Sequence, residues 1–416
     1  MDADVIVLGA GMVGVSTALQ LRRQGRSVVL VDRRGPGEET SYGNAGIIQR
    51  EAVEPYGFPR DLPSLFRAAR KGGLDVHYHA RALPALFPRF LRYWLSSSPG
   101  RYRPLAAAHA RLIEHSIAEH APLIAQAGAE HLVRREGLRF GFRDTAAFER
   151  EARDAERIVG EYGLECAILD GAQLQAAEPA LLRPLAGAVH WLDSWSVRDP
   201  GALVGLYAAL FEAEGGTFLR GDARSLRPQG AGWEVRCADG PVRAGEVVLA
   251  LGPWADEATR ALGYRLPLFV KRGYHRHYRT APSLNVPLLD AQNGFLMAPM
   301  ERGLRITTGA EFAAHTAPAT PVQSAGAERI ARQLVPLGEA VEAEPWLGAR
   351  PCTPDMLPVI GPAPRHKGLW FHFGHAHQGF TLGPATARLL AEMMSGQTPY
   401  VDPTPYSPGR FAGSRA

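Results

Sequence analysis

The stretch VIVLGAGMVGVSTALQLRRQGRSVVLVDRR, Val5 to Arg34, decides the fold. Val5-Ile6-Val7-Leu8 is an unbroken apolar run of the kind that forms a buried parallel strand. Val15 to Arg23 has helical spacing, and Ser27 to Val31 reads as a second strand ending on Asp32. Between the first strand and the helix stands Gly9-Ala10-Gly11-Met12-Val13-Gly14. In a GxGxxG so placed, Gly9 permits the turn, Gly11 lets a pyrophosphate approach the backbone, and Gly14 lets helix and strand pack closely. The helix N-terminus offers the phosphates free amides and a partial positive charge. Asp32, at the end of the second strand, stands where a carboxylate accepts hydrogen bonds from ribose hydroxyls. The unit is βαβ and its ligand is a dinucleotide.

Arg33 and Arg34 directly after Asp32 could also contact a 2′-phosphate, but Asp32 argues against that. A stronger discriminator follows in Thr40 to Ile48, whose core is SYGNAG, Ser41 to Gly46. A loop of such small residues suits a chain passing closely around a flat ring.

Working outward, 416 residues suffice for two or three domains, or for one domain interrupted by another. With 46% apolar and 21% charged residues the composition is that of a globular protein, and no apolar run approaches the roughly 20 residues of a membrane span. Met1 to Asp4 run straight into the first strand without a basic leader, so a cytoplasmic location is expected, with peripheral contact at the inner face of the membrane as the alternative. Cys166, Cys237 and Cys352 are far apart and odd in number, which suits a reducing compartment and offers no zinc pair. The net charge of +4 is spread along the chain, which argues against specific nucleic-acid binding.

Residues 55 to 130 change character, with prolines, aromatic clusters and helical stretches such as Ala106 to Ala125, and read as a helical excursion. Leu164 to Leu169 opens a second α/β passage. Asp199-Pro200 is a helix start, since aspartate caps free amides and proline lacks one. Phe218 to Leu226, Trp233 to Cys237 and Glu246 to Leu251 read as strands that return to the parallel sheet. KRGYHRHY (271–278) and GLRITTGAE (303–311) are strands of an antiparallel sheet. A strand at Leu369 to Phe373 and a helix at Pro384 to Ser395 end the chain. His372, His375 and His377 lie within six positions, but a strand through His372 points it away from the others, so no metal site is expected there.

Gly9 to Gly14, Asp32, SYGNAG, VVLALGPW (247–254), RPCTPDMLPVIG (350–361) and GHAHQGFTLGP (374–384) resemble, in this order, the FAD-dependent D-amino-acid oxidase superfamily. The likeness is greatest to bacterial D-amino-acid dehydrogenases, with glycine oxidase and sarcosine oxidase as relatives. It implies a mixed α/β fold. A Rossmann-like FAD-binding domain would be assembled from discontinuous segments (1–54, 164–260 and 345–416). An antiparallel-sheet substrate domain with a helical insertion would comprise 55–163 and 261–344.

The resemblance places Ser41, Asn44, Ala45, Gly46 and Ile47 around the flavin, Ala223 by the adenine, and Gly252 by the phosphate or ribose, with Arg33 also on the cofactor. Gly374, His375 and Gln378 to Thr381 (Gln378, Gly379, Phe380, Thr381) would form the turn and helix start whose amides meet the flavin's pyrimidine carbonyls. Arg350 is the match for an arginine that holds a substrate carboxylate, a role its planar fork suits. Tyr274 and His377 complete the expected substrate set. Phe295 and His377 stand where glycine oxidase has a tyrosine and an arginine. Cys352 is not at a linking position, so noncovalent FAD is expected.

The implied reaction is oxidative deamination of a D-amino acid to a 2-oxo acid, hydride passing from Cα to flavin N5, with no obligatory protein acid or base. Electrons would leave to a quinone, another carrier or O2. The alternatives are oxidation of a cyclic or secondary amine (a hydroxyproline-like imino acid or sarcosine), a non-catalytic flavoprotein subunit, or a tRNA-modifying flavoprotein.

Overall fold

The computed structural model describes residues 1–70 and 73–411; positions 71–72 and 412–416, which fall in two of the segments proposed above, lie outside the described residues. Asp2–Leu8 is central in a seven-stranded sheet. It pairs in parallel with Val28–Asp32 on one side and Gly240–Leu249 on the other. The sheet continues from Val28–Asp32 into the start of Thr217–Gln229, and from Gly240–Leu249 into Leu369–Phe373 and the antiparallel Val359–Pro362. Strand alternation distributes the apolar run between two cores. Val5 and Val7 pack with Val15 and Leu19 of the first helix, Met12–Arg23, and with the helices Pro200–Ala213 and Gly379–Met394. Ile6 and Leu8 pack with Trp233 and Val235 of Gly232–Cys237 and with Ala255. The valine, leucine and isoleucine side chains among these are fully buried, worth about 1.5–3 kcal/mol apiece.

The second sheet has eleven strands around Phe269–Thr280, which pairs antiparallel with Gly303–Thr307, Ala310–Phe312, Leu337–Ala340 and Trp346–Cys352. One strand differs from the expected second α/β passage at Leu164 to Leu169. Cys166–Asp170 does not join the parallel sheet, because Gly187–Trp191 pairs antiparallel with it on one side and with Leu138–Phe142 on the other. The excursion is helical as expected, with Leu62–Ala69, Leu83–Ser96, Pro99–Glu114 and Ser116–Gln126. Asp199 does cap its helix, accepting from the Ala202 amide at 2.9 Å ahead of Pro200. No described helix is long and apolar enough to cross a membrane.

The final helix corrects the sequence reading more instructively. It starts at Gly379, five residues before the expected Pro384, and contains that proline. Proline has no N–H to give to the carbonyl four residues earlier, Phe380. That carbonyl is satisfied from outside the helix. Buried His120 donates from Nε2 at 3.0 Å, while its Nδ1 accepts from the Tyr207 hydroxyl at 3.0 Å. The excursion thus supplies a hydrogen bond that the last helix cannot make for itself. His120→Ala should therefore lower stability by about 1–3 kcal/mol in urea unfolding, since it leaves the Phe380 carbonyl unpaired while the Tyr207 hydroxyl keeps the carbonyl of residue 120; an unchanged stability would contradict this role.

Candidate active site

A cavity of about 960 Å³ lies where the two sheets meet, at the upper end of the roughly 300–1,000 Å³ typical of small-molecule sites. Its wall runs from Gly9, Gly11, Asp32 and Arg33 past Ala223 and Gly252, along Ser41, Asn44, Ala45 and Ile47, to Arg350, Gly374, His375 and His377. Gly379, Phe380 and Tyr274 border it as well. Residues distant in the chain, expected separately, thus share one elongated chamber.

At the nucleotide end the glycines act as the motif requires. A Cβ on Gly14 would lie 1.7 Å from the Gly9 carbonyl oxygen, so Gly14 packs helix on strand and does not border the cavity. Gly9 adopts φ +107° against the Ala250 carbonyl, and Gly252, at φ +53°, faces open space. Asp32 accepts from the Ala10 amide at 2.7 Å and the Arg34 amide at 3.1 Å, so its carboxylate also fixes the glycine turn. Arg33 stacks 4.3 Å over the Trp254 ring and pairs with Glu39.

The 41–46 loop is held by residues the sequence reading missed. Ser41 Oγ accepts from the Met12 amide, the first of the helix, at 3.0 Å. Asn44 Oδ1 accepts from the Gly46 amide at 2.8 Å; Gly46 itself, at φ +72°, abuts the Val197 carbonyl and does not border the cavity. Arg305, 2% exposed, donates to the carbonyls of Tyr42 (2.9 Å) and Asn44. Its Nε donates to His277 Nε2 at 2.9 Å, and His277 Nδ1 donates to Glu342 at 2.7 Å. The chain Glu342–His277–Arg305 anchors the loop's backbone, and burial lowers the Arg305 pKa to about 10. A charged residue inside the buried strand Gly303–Thr307 was the available signal, since buried charges need partners.

At the opposite end, Arg350 lies over Gly273, where a Cβ would meet the guanidinium at 2.6 Å. Its Nη1 and Nη2 reach the carbonyls of Gly309 (3.2 Å) and Thr308 (3.4 Å), and among the described residues it has no carboxylate partner. The turn Gly374 (φ +83°) to His377 returns the chain beside it, with the Ala376 amide donating to Pro351 O at 2.8 Å. His377 is half-buried, its Nδ1 is buried and unpartnered, and its ring meets Tyr56 edge-on at 5.2 Å. His375 donates from Nε2 to Thr386 at 3.0 Å, and His372 Nδ1 donates to Thr17 at 2.8 Å, leaving His372 Nε2 unpartnered.

Three other expectations need correction. The Gln378 amide is already given to His375 O, and Gln378 and Thr381 stand behind the wall, with Gln378 Nε2 donating to Gln49 and Thr381 Oγ1 accepting from the Gln49 amide. The helix-start amides available to a ligand are those of Gly379 and Phe380, which do border the cavity. The Tyr274 hydroxyl is saturated, donating to Glu311 at 3.1 Å and accepting from Thr320 N at 2.7 Å, because strand alternation points it away from the histidine face of KRGYHRHY. Phe295 lies in the core of the second sheet. Among the described residues, His77, His79 and Glu311 bring ligand atoms within 4.8 Å of one another, but Glu311 is already taken by Arg272, Tyr274 and Thr320.

The glycine cradle, the helix-start amides and the orphaned polar atoms His372 Nε2, His377 Nδ1 and Thr307 Oγ1 fit a long, flat, hydrogen-bonding dinucleotide. Replacing Arg305 by Met removes two bonds from a charged donor to the loop, so FAD affinity should fall about 10- to 100-fold with the fold retained, as read by cofactor titration; unchanged affinity would show that the anchor does not shape the cofactor site.

Burial keeps the histidines neutral, with pKa values near 4 for His109 and His120 and near 3 for His375. Folded values below the ordinary 6.5 mean that the unfolded chain binds more protons. The stabilisation is therefore complete above about pH 6.5 and is lost as pH falls through the window down to about 4, at about 1.4 kcal/mol per pH unit for each histidine. Urea midpoints should drop steeply from pH 6.5 to 4.5, and a flat profile would contradict neutral burial.

Comparison with known proteins agrees with this geometry. The FAD dependent oxidoreductase (DAO) family pattern matches residues 4–393. The chain is 30% identical to a D-amino acid dehydrogenase of Chromohalobacter salexigens (98% of this chain, 99% of the relative) and 32% identical to one of Paramagnetospirillum magneticum (94% and 95%). The fold is shared with glycine oxidase from Geobacillus kaustophilus (TM-score 0.73, 22% identity, 98% of each chain) and L-proline dehydrogenase from P. horikoshii (TM-score 0.74, 17% identity, 99% and 98%). With the glycine turn, the anchored loop and the family match all on one cavity, the chain belongs to the DAO family of FAD-dependent oxidoreductases.

Proposed function

We propose that this protein oxidises D-amino acids to 2-oxo acids with noncovalently held FAD. The observation that carries the reading is Arg350, a half-buried cation without a carboxylate partner among the described residues, on the wall shared with the Gly374–His377 turn. Relatives named D-amino acid dehydrogenase along nearly the whole chain support the substrate class. FAD supplies the two-electron acceptor when bound.

The remaining work falls to the chain. Arg350 grips a carboxylate through its charged donors and so orients Cα. The histidines beside it are held neutral by burial, with His377 well below its ordinary value. An ammonium next to the guanidinium is disfavoured, so the substrate amine enters as the free base and no protein group has to take its proton. The start of Gly379–Met394 favours negative charge at the cavity wall. The Cys352 thiol lies among Phe269, Tyr93 and Met356 rather than on the cavity wall, which supports a noncovalent cofactor.

Anaerobic mixing of the FAD-loaded protein with D-amino acids, L-amino acids, cyclic imino acids and sarcosine should bleach the flavin with D-amino acids first. Preferential bleaching by the imino acids or sarcosine would replace this reading with the secondary-amine one. Reoxidation faster with a soluble quinone than with O2 would identify a dehydrogenase. Arg350→Met should lower kcat/KM by about 30- to 1,000-fold, FAD content being measured alongside.

A further inference from the structure

The charge that the sequence reading takes to be spread along the chain is gathered in one region. Residues 60–103 carry nine lysines and arginines and two aspartates, a net +7 within a chain of net +4, so the rest of the protein is net negative. The same region holds the exposed apolar side chains. Of the eleven large hydrophobic residues exposed on the described surface, six lie within residues 56–95: Tyr56, Leu62, Phe66, Phe87, Leu91 and Leu95. Single exposed leucines need no explanation, but over half of them in about a tenth of the chain mark a contact surface.

Helical spacing turns these residues into a face. In Leu83–Ser96, Phe87, Leu91 and Leu95 follow at every fourth residue on one side, while Leu86, Phe90 and Tyr93 pack inward with Phe269 and Cys352. Leu62, 79% exposed, and Phe66 repeat that spacing in Leu62–Ala69. Arg60, just ahead of the shorter helix, donates to the Trp94 carbonyl of the longer one at 2.6 Å and lies 4.0 Å over its ring, which joins the two. Cations border both stripes. The Arg70 guanidinium lies 4.0 Å over the Phe66 ring. Arg60, Arg70, Arg81, Arg101 and Arg103 are exposed, and none has a carboxylate partner among the described residues. The inner side of the longer helix is fixed to the scaffold, with Arg89 donating to the Leu268 carbonyl at 2.8 Å and the Tyr93 hydroxyl to the Tyr56 carbonyl. Tyr56 in turn meets His377 of the cavity wall, so this face lies beside the site.

We propose that this face docks on an anionic lipid bilayer, its leucines and phenylalanines entering the acyl boundary and its arginines meeting the headgroup phosphates. An apolar helix face flanked by arginines suits a membrane interface, where apolar burial and attraction to anionic lipid add. Two other occupants fit less well. A second copy docked through the same face would set +7 against +7. A nucleic acid would meet the arginines but leave Leu62, Leu91 and Leu95 uncovered, since bases stack on aromatic rings and guanidinium planes. The docking is peripheral and independent of which amine the cavity takes.

Flotation of the FAD-loaded protein with vesicles tests this. Partition onto vesicles of equal parts phosphatidylcholine and phosphatidylglycerol should exceed that onto phosphatidylcholine alone by at least about tenfold, each arginine near the surface being worth about fivefold. The excess should shrink between about 0.1 M and about 1 M salt as screening shortens the reach of the charges. Phe87→Ser with Leu91→Ser, both at exposed positions, should lower binding to either vesicle at least about tenfold. Arg81→Glu with Arg101→Glu should remove most of the anionic excess. The flavin absorbance of both variants should match that of the wild type. Failure of the wild-type protein to float with anionic vesicles, or flotation of the Phe87→Ser, Leu91→Ser variant equal to wild type, overturns the inference. Without flotation, self-association in sedimentation velocity that this variant abolishes would make the face a contact between copies. Retention of tRNA at physiological salt without flotation would make it a nucleic-acid surface, and either result overturns the bilayer.

Discussion

The close approach of the first helix to the first strand, carbonyl of Gly9 against the backbone of Gly14, is the contact on which the site depends. No side chain fits between them, since a Cβ at Gly14 would fall 1.7 Å from that oxygen. The approach brings the amide of Met12 to Ser41 and the carboxylate of Asp32 to Ala10. Through these bonds the nucleotide end, the 41–46 loop and the second strand are set relative to one another. The parallel sheet needs both faces covered to hold this arrangement, which is why Val5 to Leu8 are apolar without interruption.

Much of this was legible in the sequence because glycine spacing and strand ends are local signals. GxGxxG, Asp32 and the SYGNAG loop each report a backbone requirement within a few residues. What was not legible depends on partners far along the chain. Arg305 looks like any strand arginine until Tyr42 and Asn44 present their carbonyls to it, more than 260 positions away. Tyr274 borders the cavity as expected, but its hydroxyl is spent on Glu311 and Thr320, partners 37 and 46 positions away that strand alternation does not announce. Pro384 was read as a helix start by the usual rule, and the rule failed because a distant histidine supplies the missing donor.

The interior is unusually rich in groups that burial penalises. Neutral histidines line the turn from His372 to His377, and their tautomers are set by single hydroxyl partners, Thr17 and Thr386. Such an interior is stable only where each charge has a partner or awaits one, and the distribution of pairs separates structural charges from those reserved for a ligand. Arg272 with Glu311 belongs to the first kind, and under the proposed function Arg350 belongs to the second.

The bond from His120 to the Phe380 carbonyl ties the helical excursion to the helix that opens onto the cavity. The excursion therefore is not a detachable ornament on the sheet scaffold. A chimera that exchanged residues 55 to 130 between relatives would inherit the proline of the recipient's last helix without the donor that complements it, unless the histidine travelled with the segment. In this architecture the two pieces form one inheritable unit, although some 250 residues of chain separate them.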